Sequence, residues 1–350
     1  MKMRRFFAIL GFTLLFFSIV EGFAQGKEEK APANAIYHWK TTFDPTAKEW
    51  NFLKTNNIQR MYVRFFDVDD SPANPIATTV FKQNLPQDIE IIPTTFITLE
   101  PFEYYWWVSD SVRERRNHEL ANKIVTRLLK MAQAQQVEVK EVQFDCDWTA
   151  STENDFFQTC MFARDTLHQL GIELSVTIRL HQLNMLKNVP ADRGVLMLYN
   201  TSNLKNYTET NSILSYDVVK RYLSRVPQKH TLDLDFAYPT YSWGIWFDSY
   251  QEFNGILRKV DLSNQKLYRL KENNCYEVLK DHEIEGHLLK EGDIIRWEES
   301  QYDEIMKVKK AVEAYPTLKG GQYSVILYHL DDNNLSKFSS HEIKSIFHHQ

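Results

Sequence analysis

The sequence predicts a (β/α)8 TIM barrel with a small β-rich insertion between the seventh strand and the following helix. Strand-like and helix-like segments alternate along almost the whole chain, eight strand-like segments can be distinguished, and a long stretch interrupts the alternation after the seventh. A doubly wound open sheet shows a similar alternation. However, no glycine-rich phosphate loop follows the first strand-like segment, so we favour the barrel.

The predicted strands are short apolar segments rich in β-branched and aromatic residues. They cover residues 35–39, 60–66, 89–97, 139–147, 172–180, 194–200, 231–238 and 323–330. The helices between them are indicated by apolar spacing, which is clearest over residues 117–135, where Leu120, Ile124 and Leu128 recur at intervals of four. The other helices are marked by start signals at Asp44-Pro45, Thr152 with Asp155, Ser215, Ser300 with Asp303, and Ser339 with Glu342.

The interruption, residues 250–299, is too long for an ordinary connection between a strand and a helix. Short strand-like segments separated by Gly286 and Gly292 predict a small β-rich insertion on the face of the barrel that carries the loops after the strands. The alternative is a disordered loop. Apolar residues at Ile295 and Trp297 argue against that alternative.

Residues 1–24 have the pattern of a secretory signal peptide. Basic residues precede an apolar run over residues 6–20, and Gly22 and Ala24 supply the small residues of a cleavage site. An uncleaved anchor is the alternative, but this run of about fifteen residues is shorter than the roughly twenty that a membrane span needs.

The domain organisation follows from that reading. We expect a tether over residues 25–34, a barrel over residues 35–350 that contains the insertion, and no stable membrane span after the signal is cleaved. The mature protein is therefore expected to be exported, to a periplasmic, cell-surface or extracellular location.

Composition limits the partners. A formal net charge of −5 with interspersed acidic and basic residues gives no polyanion-binding signature, so nucleic acid is not an expected partner. The three cysteines, Cys146, Cys160 and Cys275, are too few for a disulfide framework and match no zinc spacing. No metal or other cofactor is expected.

The most informative motif is a pair of acids, Asp145 and Asp147, at the end of the fourth predicted strand. Because side chains alternate across a strand, both acids and Gln143 should lie on one face. Like charges this close raise at least one pKa, as an acid catalyst requires. The alternative is an internal network with Arg179 and Tyr199 that only sets the barrel geometry.

Aromatic residues concentrate where the strands end. The loops over residues 102–107 and 238–247 are both rich in them, and Trp39 follows the first strand. Flat aromatic faces beside polar groups suit sugar rings, whose C–H groups pack on the π surface. We therefore predict a glycan as the partner, although each aromatic could instead pack only against its neighbours.

These segments resemble the chitinase-type (family 18) glycoside hydrolases over most of the length after the signal. Asp145-Cys146-Asp147-Trp148-Thr149 compares with the family's Asp-x-x-Asp-x-Asp-x-Glu, Met197-Leu198-Tyr199-Asn200 with Met-x-Tyr-Asp, and Ala237-Tyr238-Pro239-Thr240-Tyr241-Ser242 with Gly-x-Pro-x-Tyr-Gly. Gly320-Gly321 and Tyr328 compare with the start of strand eight and with the tryptophan that forms the floor of the family's sugar site.

The resemblance implies roles for some of these residues. In the family the final Glu protonates the glycosidic oxygen and the acetamide of an N-acetylhexosamine attacks the sugar carbon. It implies that Asp147 orients this acetamide and that Tyr199 hydrogen-bonds it. Thr149 replaces the acid and Asn200 replaces an Asp, and losing a general acid typically costs about 10²–10⁴-fold in rate.

Two readings therefore stay open, hydrolysis with another acid or glycan binding without cleavage, and a third is an envelope scaffold that binds another protein. For hydrolysis the expected catalytic residues are Asp147, Asp145, Tyr199 and Glu100. Asp331 is a further candidate acid, but Asp147 is favoured because Asp145 beside it would raise its pKa. The expected substrate-binding residues are Trp39, Asn200, Arg179, Tyr241, Trp243, Tyr328 and Asp331.

Overall fold

The structure, a computed structural model, describes residues 31–69, 76–104, 107–227, 229–230, 232–315, 317–318 and 321–348. The predicted signal peptide, most of the predicted tether, Gly320 and part of the first aromatic loop lie outside these residues. Within the described part of the chain, no helix combines the length and the apolar character needed to cross a membrane.

Eight parallel strands close into a barrel, which confirms the predicted fold. The strands up to the insertion are β1 (Asn34–His38), β2 (Thr42–Phe43), β3 (Arg60–Val68), β4 (Val80–Phe81), β5 (Glu90–Ile97), β6 (Glu141–Cys146), β7 (Glu173–Arg179), β8 (Arg193–Met197) and β9 (Asp233–Pro239). The barrel consists of β1, β3, β5, β6, β7, β8, β9 and a last strand after the insertion, each paired with the next in chain order, while β2 and β4 form a separate pair.

The insertion is an antiparallel sheet with its own small core. Its strands are β10 (Ser242–Phe247), β11 (Phe253–Leu257), β12 (Tyr268–Leu270), β13 (Cys275–Val278), β14 (His282–Ile284), β15 (His287–Leu289) and β16 (Ile294–Glu299). Five of them pair in the order β11-β10-β16-β13-β12, and Leu257, Val278 and Ile295 are fully buried between them. The sheet begins at Ser242, ahead of the predicted boundary at 250, because β10 follows almost directly from β9. The chain then returns to the barrel and closes it with β17 (Val325–Tyr328).

Helices cover the outside of the barrel. They are α1 (Ala47–Thr55), α2 (Asp110–Ala134), α3 (Glu153–His168), α4 (Tyr216–Leu223), α5 (Tyr302–Glu313), α6 (Asp332–Leu335) and α7 (Ser340–Phe347). The capping box predicted at Ser339 and Glu342 is present. The one predicted at Thr152 is not, because the Thr152 hydroxyl accepts a hydrogen bond from the amide of Thr149 instead. Gly171, at φ +72°, follows α3 in the left-handed conformation that glycine tolerates best.

Polar side chains contact one another inside the barrel, at successive levels along its axis. The Tyr37 hydroxyl on β1 donates to Gln143 Oε1 on β6 over 2.8 Å, although these strands are not neighbours. Towards the amino-terminal strand ends, Arg193 Nη1 lies 3.2 Å from Asp235 Oδ1, which also accepts from the Ser324 amide. These contacts show that alternate strand residues point into a filled interior.

Candidate functional site

The acidic pair faces the inside of the barrel at the carboxyl end of β6. Asp145 is 2% exposed and its Oδ1 accepts a hydrogen bond of 2.6 Å from the Thr177 hydroxyl on β7. Asp147 follows the strand, and 49% of its side chain is exposed. Arg179, at the end of β7, donates to Asp147 and lies 3.8 Å from Asp145. The structure therefore brings together three of the predicted site residues, and one guanidinium bridges two carboxylates.

Burial makes the Asp145 carboxyl group a weaker acid than an ordinary aspartate. Removal from water raises its pKa from 3.8 to about 6, against the attraction of Arg179 and with a further increase from the charge of Asp147. From the sequence, Asp147 is favoured as the acid with the raised pKa, whereas in the structure burial raises the pKa of Asp145. The reason is that Asp145 is a strand residue inside the barrel, whereas Asp147 already lies in the following loop.

Tyr199 connects this pair to the mouth of the barrel. Its ring stacks on Tyr328 with centroids 4.7 Å apart, and the Arg179 guanidinium lies 5.9 Å from the ring centroid. Tyr199 is only 3% exposed, and its hydroxyl has no hydrogen-bond partner among the described residues. A buried hydroxyl without a partner is costly, so this atom is a free donor and acceptor beneath the mouth.

A cavity of about 1050 Å³ opens between the barrel mouth and the insertion. Its aromatic walls are Trp39 after β1, Tyr241 and Trp243 at the start of the insertion, Trp297 on β16, and Tyr328 at the end of β17. We call this cavity the cleft. Its volume lies at the upper end of the roughly 300–1,000 Å³ typical of ligand pockets.

The aromatic side chains of the cleft pack against one another. Tyr328 lies 6.1 Å from Trp39 and 5.7 Å from Tyr241, between ring centroids, and Tyr241 lies 5.1 Å from Trp243. The Tyr241 hydroxyl donates to Asn200 Oδ1 over 2.6 Å. Asn200 adopts φ +53°, a left-handed conformation in which asparagine is favoured. Five of the predicted substrate-binding residues, Trp39, Asn200, Tyr241, Trp243 and Tyr328, therefore form one surface.

A buried ion pair in the insertion positions Trp243. Arg296 Nε lies 2.7 Å from Glu298 Oε1, and the other oxygen of Glu298 accepts a 2.8 Å hydrogen bond from Trp243 Nε1. Arg296 also donates to the carbonyls of Leu204 and Asn206, in the connection that follows β8. The insertion is thereby joined to the barrel directly beside the cleft.

Three residues at or beside the cleft were not among the site residues predicted from the sequence: Arg296, Trp297 and Glu298. The only sequence signal for them is the alternation of side chains along a strand. It places Arg296 and Glu298 on one face of β16 and Trp297 on the other. Without the pairing of β16 to β10, nothing in the sequence says which face meets the cleft.

Neither Thr149 nor Glu100 is arranged for proton donation. Thr149 stands at the position that corresponds to the acid of the resembled family, and its hydroxyl lies 2.9 Å from that of Ser151. Glu100 is exposed, its carboxylate accepts a hydrogen bond from Thr98, and no hydrogen bond or ion pair joins it to the acidic pair within the described residues.

Asp331 lines the cleft but is held ionised. Its Oδ2 lies 3.2 Å from Lys40 Nζ, and its Oδ1 caps α6 through the amide of Asn334. Burial acts to raise the pKa of Asp331, but Lys40 and the Asn334 amide outweigh it and leave the pKa below its ordinary value. Asp331 therefore lies at the cleft surface, and its lowered pKa makes it a weak proton donor.

Comparisons with solved structures confirm the expected resemblance at the level of the fold. A chitinase from Chromobacterium violaceum ATCC 12472 matches with a TM-score of 0.51 at 14% identity, covering 91% of this chain and 100% of that one. A class V chitinase from Nicotiana tobaccum matches with a TM-score of 0.50 at 10% identity, covering 90% and 99%.

A group IV chitinase from Ostrinia furnacalis, solved in complex with allosamidin, also matches, with a TM-score of 0.50 at 10% identity over 90% of this chain and 97% of that one. This chain has a chitinase-like barrel. No protein-family model matches the chain, and no curated protein matches it in sequence. At such low identities the likeness is one of fold.

Proposed function

We propose that the protein binds glycans in the cleft and does not cleave them by the acid chemistry of the family it resembles. The observation that carries this proposal is an aromatic-walled cavity of about 1050 Å³ at the barrel mouth, next to a motif in which Thr149 stands where the family has its acid. Carbohydrate-related function is also what the chitinase structures with this fold suggest.

Several contacts support a sugar ligand. Trp39, Tyr241 and Tyr328 offer flat faces for the C–H groups of a pyranose ring. The ring of Tyr199 stacks on Tyr328, and its buried hydroxyl, which has no partner among the described residues, could donate or accept a hydrogen bond. The resemblance gives Asp147 and Tyr199, which lie outside the lining of the cleft, the acetamide of an N-acetylhexosamine as their partner, so we propose a glycan that contains such units and extends from the cleft to these two residues.

Hydrolysis is the second candidate, and the raised pKa of Asp145 favours it. A carboxyl group with a pKa of about 6 is still partly protonated close to neutral pH, which a general acid requires. Burial at 2% exposure and the hydrogen bond from Thr177 act against it, because the acid has to reach the glycosidic oxygen. We therefore rank binding above hydrolysis.

The test is calorimetric titration of the protein with chitotetraose and a panel of other oligosaccharides, combined with chromatography of the products. We expect the wild-type protein to bind without cleavage, and Trp39→Ala to bind at least tenfold more weakly. Tyr250→Ala is the control and should bind as the wild type does, because Tyr250 is 86% exposed and does not line the cleft. Thr149→Glu restores the family's acid and is expected to introduce slow cleavage.

Other outcomes would overturn this ranking. Cleavage by the wild-type protein that Asp145→Asn or Asp147→Asn abolishes, with the fold intact, would establish the hydrolase. Failure of every glycan to bind would remove both candidates and leave a scaffold that contacts another protein.

We also propose export, to the periplasm, the cell surface or the medium. Support comes from the basic residues, apolar run and small residues within residues 1–24. Mass spectrometry of the protein isolated from its source would show a new amino terminus near Gln25 if the signal is cleaved. An intact terminus in a cytosolic fraction would contradict export.

A further inference from the structure

The cleft combines aromatic walls with an excess of cationic side chains. We propose that its ligand is an anionic glycan, an oligosaccharide that carries carboxylate or sulfate groups. This inference rests on the proposed glycan-binding function and specifies its ligand.

Five cationic side chains and one carboxylate, Asp331, line the cleft within the described part of the chain. The cationic residues are Lys40, Arg64, Arg258, Lys259 and Lys337. His329 also lines the cleft, and burial together with Lys40 lowers its pKa to about 4, although Asp331 acts in the opposite direction. It is therefore uncharged at neutral pH. The acidic pair of β6 is not part of the cleft lining.

Two of the five cations are neutralised by the protein itself. Lys40 Nζ lies 2.7 Å from Glu49 and 3.2 Å from Asp331. Arg64 forms a two-pronged pair with Asp67 on the same strand. These two cations need no further partner.

Arg258 and Lys259 are different. Both are exposed, and neither side chain forms an ion pair with another described residue. The one nearby carboxylate that contacts them, Glu285, accepts hydrogen bonds from their backbone amides instead. Those bonds fix the turn after β11, so both side chains are presented to the cleft from a defined backbone position.

Lys337 is only partly neutralised. Its nearest ion-pair partner, Glu299, lies 4.0 Å away and is itself largely exposed. Burial lowers the pKa of Lys337, and the attractions of Glu299 and Asp331 do not fully compensate. An anionic group of a ligand beside Lys337 would supply the negative charge that this ammonium group otherwise lacks.

One of the incompletely paired cations lies next to an aromatic face. Lys337 Nζ lies 5.1 Å from the Trp297 ring centroid. A sugar ring on an aromatic face would therefore place an acidic substituent near a cation, and charge-assisted hydrogen bonds are about twice as strong as neutral ones. A neutral chito-oligosaccharide carries no anionic group to pair with Arg258 and Lys259.

The experiment compares three tetrasaccharides, an oligouronate, a sulfated oligosaccharide and neutral chitotetraose, by calorimetric titration at low and at physiological salt. We expect at least one anionic ligand to bind tenfold or more tightly than the neutral one, and to lose affinity at the higher salt. The preferred anion identifies carboxylate or sulfate as the recognised group.

Two double variants separate specific contacts from net charge. Arg258→Ala with Lys259→Ala should reduce affinity for the anionic ligand about tenfold and leave binding of the neutral one unchanged. Lys266→Ala with Lys290→Ala removes the same charge from exposed positions of the insertion that do not line the cleft, and should change neither. Thermal melts establish that both variants are folded.

Each result distinguishes the two proposals. Equal or tighter binding of chitotetraose, or equal losses in both double variants, overturns the anionic ligand and leaves glycan binding standing. Absence of binding by all three tetrasaccharides counts against glycan binding itself.

Discussion

Tyr199 and Tyr328 stack at the barrel mouth with ring centroids 4.7 Å apart and an interplanar angle of 28°. Tyr199 does not itself line the cleft, and its buried hydroxyl has no hydrogen-bond partner among the described residues. A ligand that reaches past Tyr328 would give this hydroxyl the hydrogen bond that the protein does not.

Tyr199→Phe should therefore affect stability and binding in opposite directions. Removing an unsatisfied buried hydroxyl avoids a penalty of about 1–3 kcal/mol, so the free energy of unfolding should stay equal or rise. Glycan binding should weaken by about 0.5–1.5 kcal/mol. Tyr238→Phe is the matched control, because its hydroxyl is equally buried and unpartnered among the described residues, but its ring does not stack on the cleft residue Tyr328 as that of Tyr199 does. Equal binding losses in both variants would contradict the role of Tyr199.

The free energy of unfolding should depend on pH through Asp145. Its pKa of about 6 in the folded protein exceeds the ordinary value of 3.8, so the folded state retains this proton to higher pH than the unfolded chain. The corresponding stability is complete below the ordinary value and is lost as the pH rises through about 6, by roughly 3 kcal/mol.

Asp145→Asn, which does not titrate, isolates this effect. Relative to the wild type, the variant should gain stability as the pH rises from about 4 to 7, measured by urea unfolding. Asp192→Asn should show the opposite trend, confined to pH values below about 4, because the Leu174 amide and His168 outweigh burial and lower the pKa of Asp192. A pH-independent difference for Asp145→Asn would rule out the raised pKa.

The buried pair of Arg193 and Asp235 should be important for stability. Their side chains are 8% and 0% exposed and lie 3.2 Å apart. Arg193→Met leaves Asp235 without its cation in the barrel interior and should lower the free energy of unfolding by about 3–5 kcal/mol. Lys307→Met, which breaks an exposed pair with Glu304, should cost less than about 1 kcal/mol. Comparable losses from the two substitutions would be unexpected.

Glu298→Ala should damage both the insertion and the cleft. It leaves Arg296, which is 1% exposed, without its carboxylate and frees the Trp243 indole. We expect a loss of about 3–5 kcal/mol in stability together with weaker glycan binding. Glu277→Ala breaks the exposed pair with Arg269 in the same insertion and should change stability by less than about 1 kcal/mol. Glycan binding unaffected by Glu298→Ala would argue against Trp243 as a contact.

Much of the barrel is readable from the sequence because buried parallel strands are short apolar runs with clear ends. The exceptions have local causes. The sixth strand was predicted to reach residue 200 but β8 ends at Met197, and Asn200 then adopts a left-handed conformation that a strand cannot contain. Helix α5 begins at Tyr302 with Gln301 as its cap, because the Ser300 hydroxyl is hydrogen-bonded to the backbone of Tyr241.

The candidate site is only partly readable in the same way. The alternation of side chains along β6 correctly predicted that Asp145 points into the barrel, because this alternation is a local property of the strand. Arg258 and Lys259 carry no local signal, because their position depends on the pairing of β11 with β10 and of β10 with β16. Long-range pairing of this kind is not encoded in any short segment.

The insertion has a hydrophobic core of its own, and it supplies Trp243, Trp297, Arg258 and Lys259 to one wall of the cleft. The opposite wall, with Trp39 and Tyr328, belongs to the barrel. Substitutions confined to the insertion can therefore reshape one wall of the cleft while the barrel beneath stays constant, and grafting the insertion onto a related barrel would test whether it carries the proposed ligand preference.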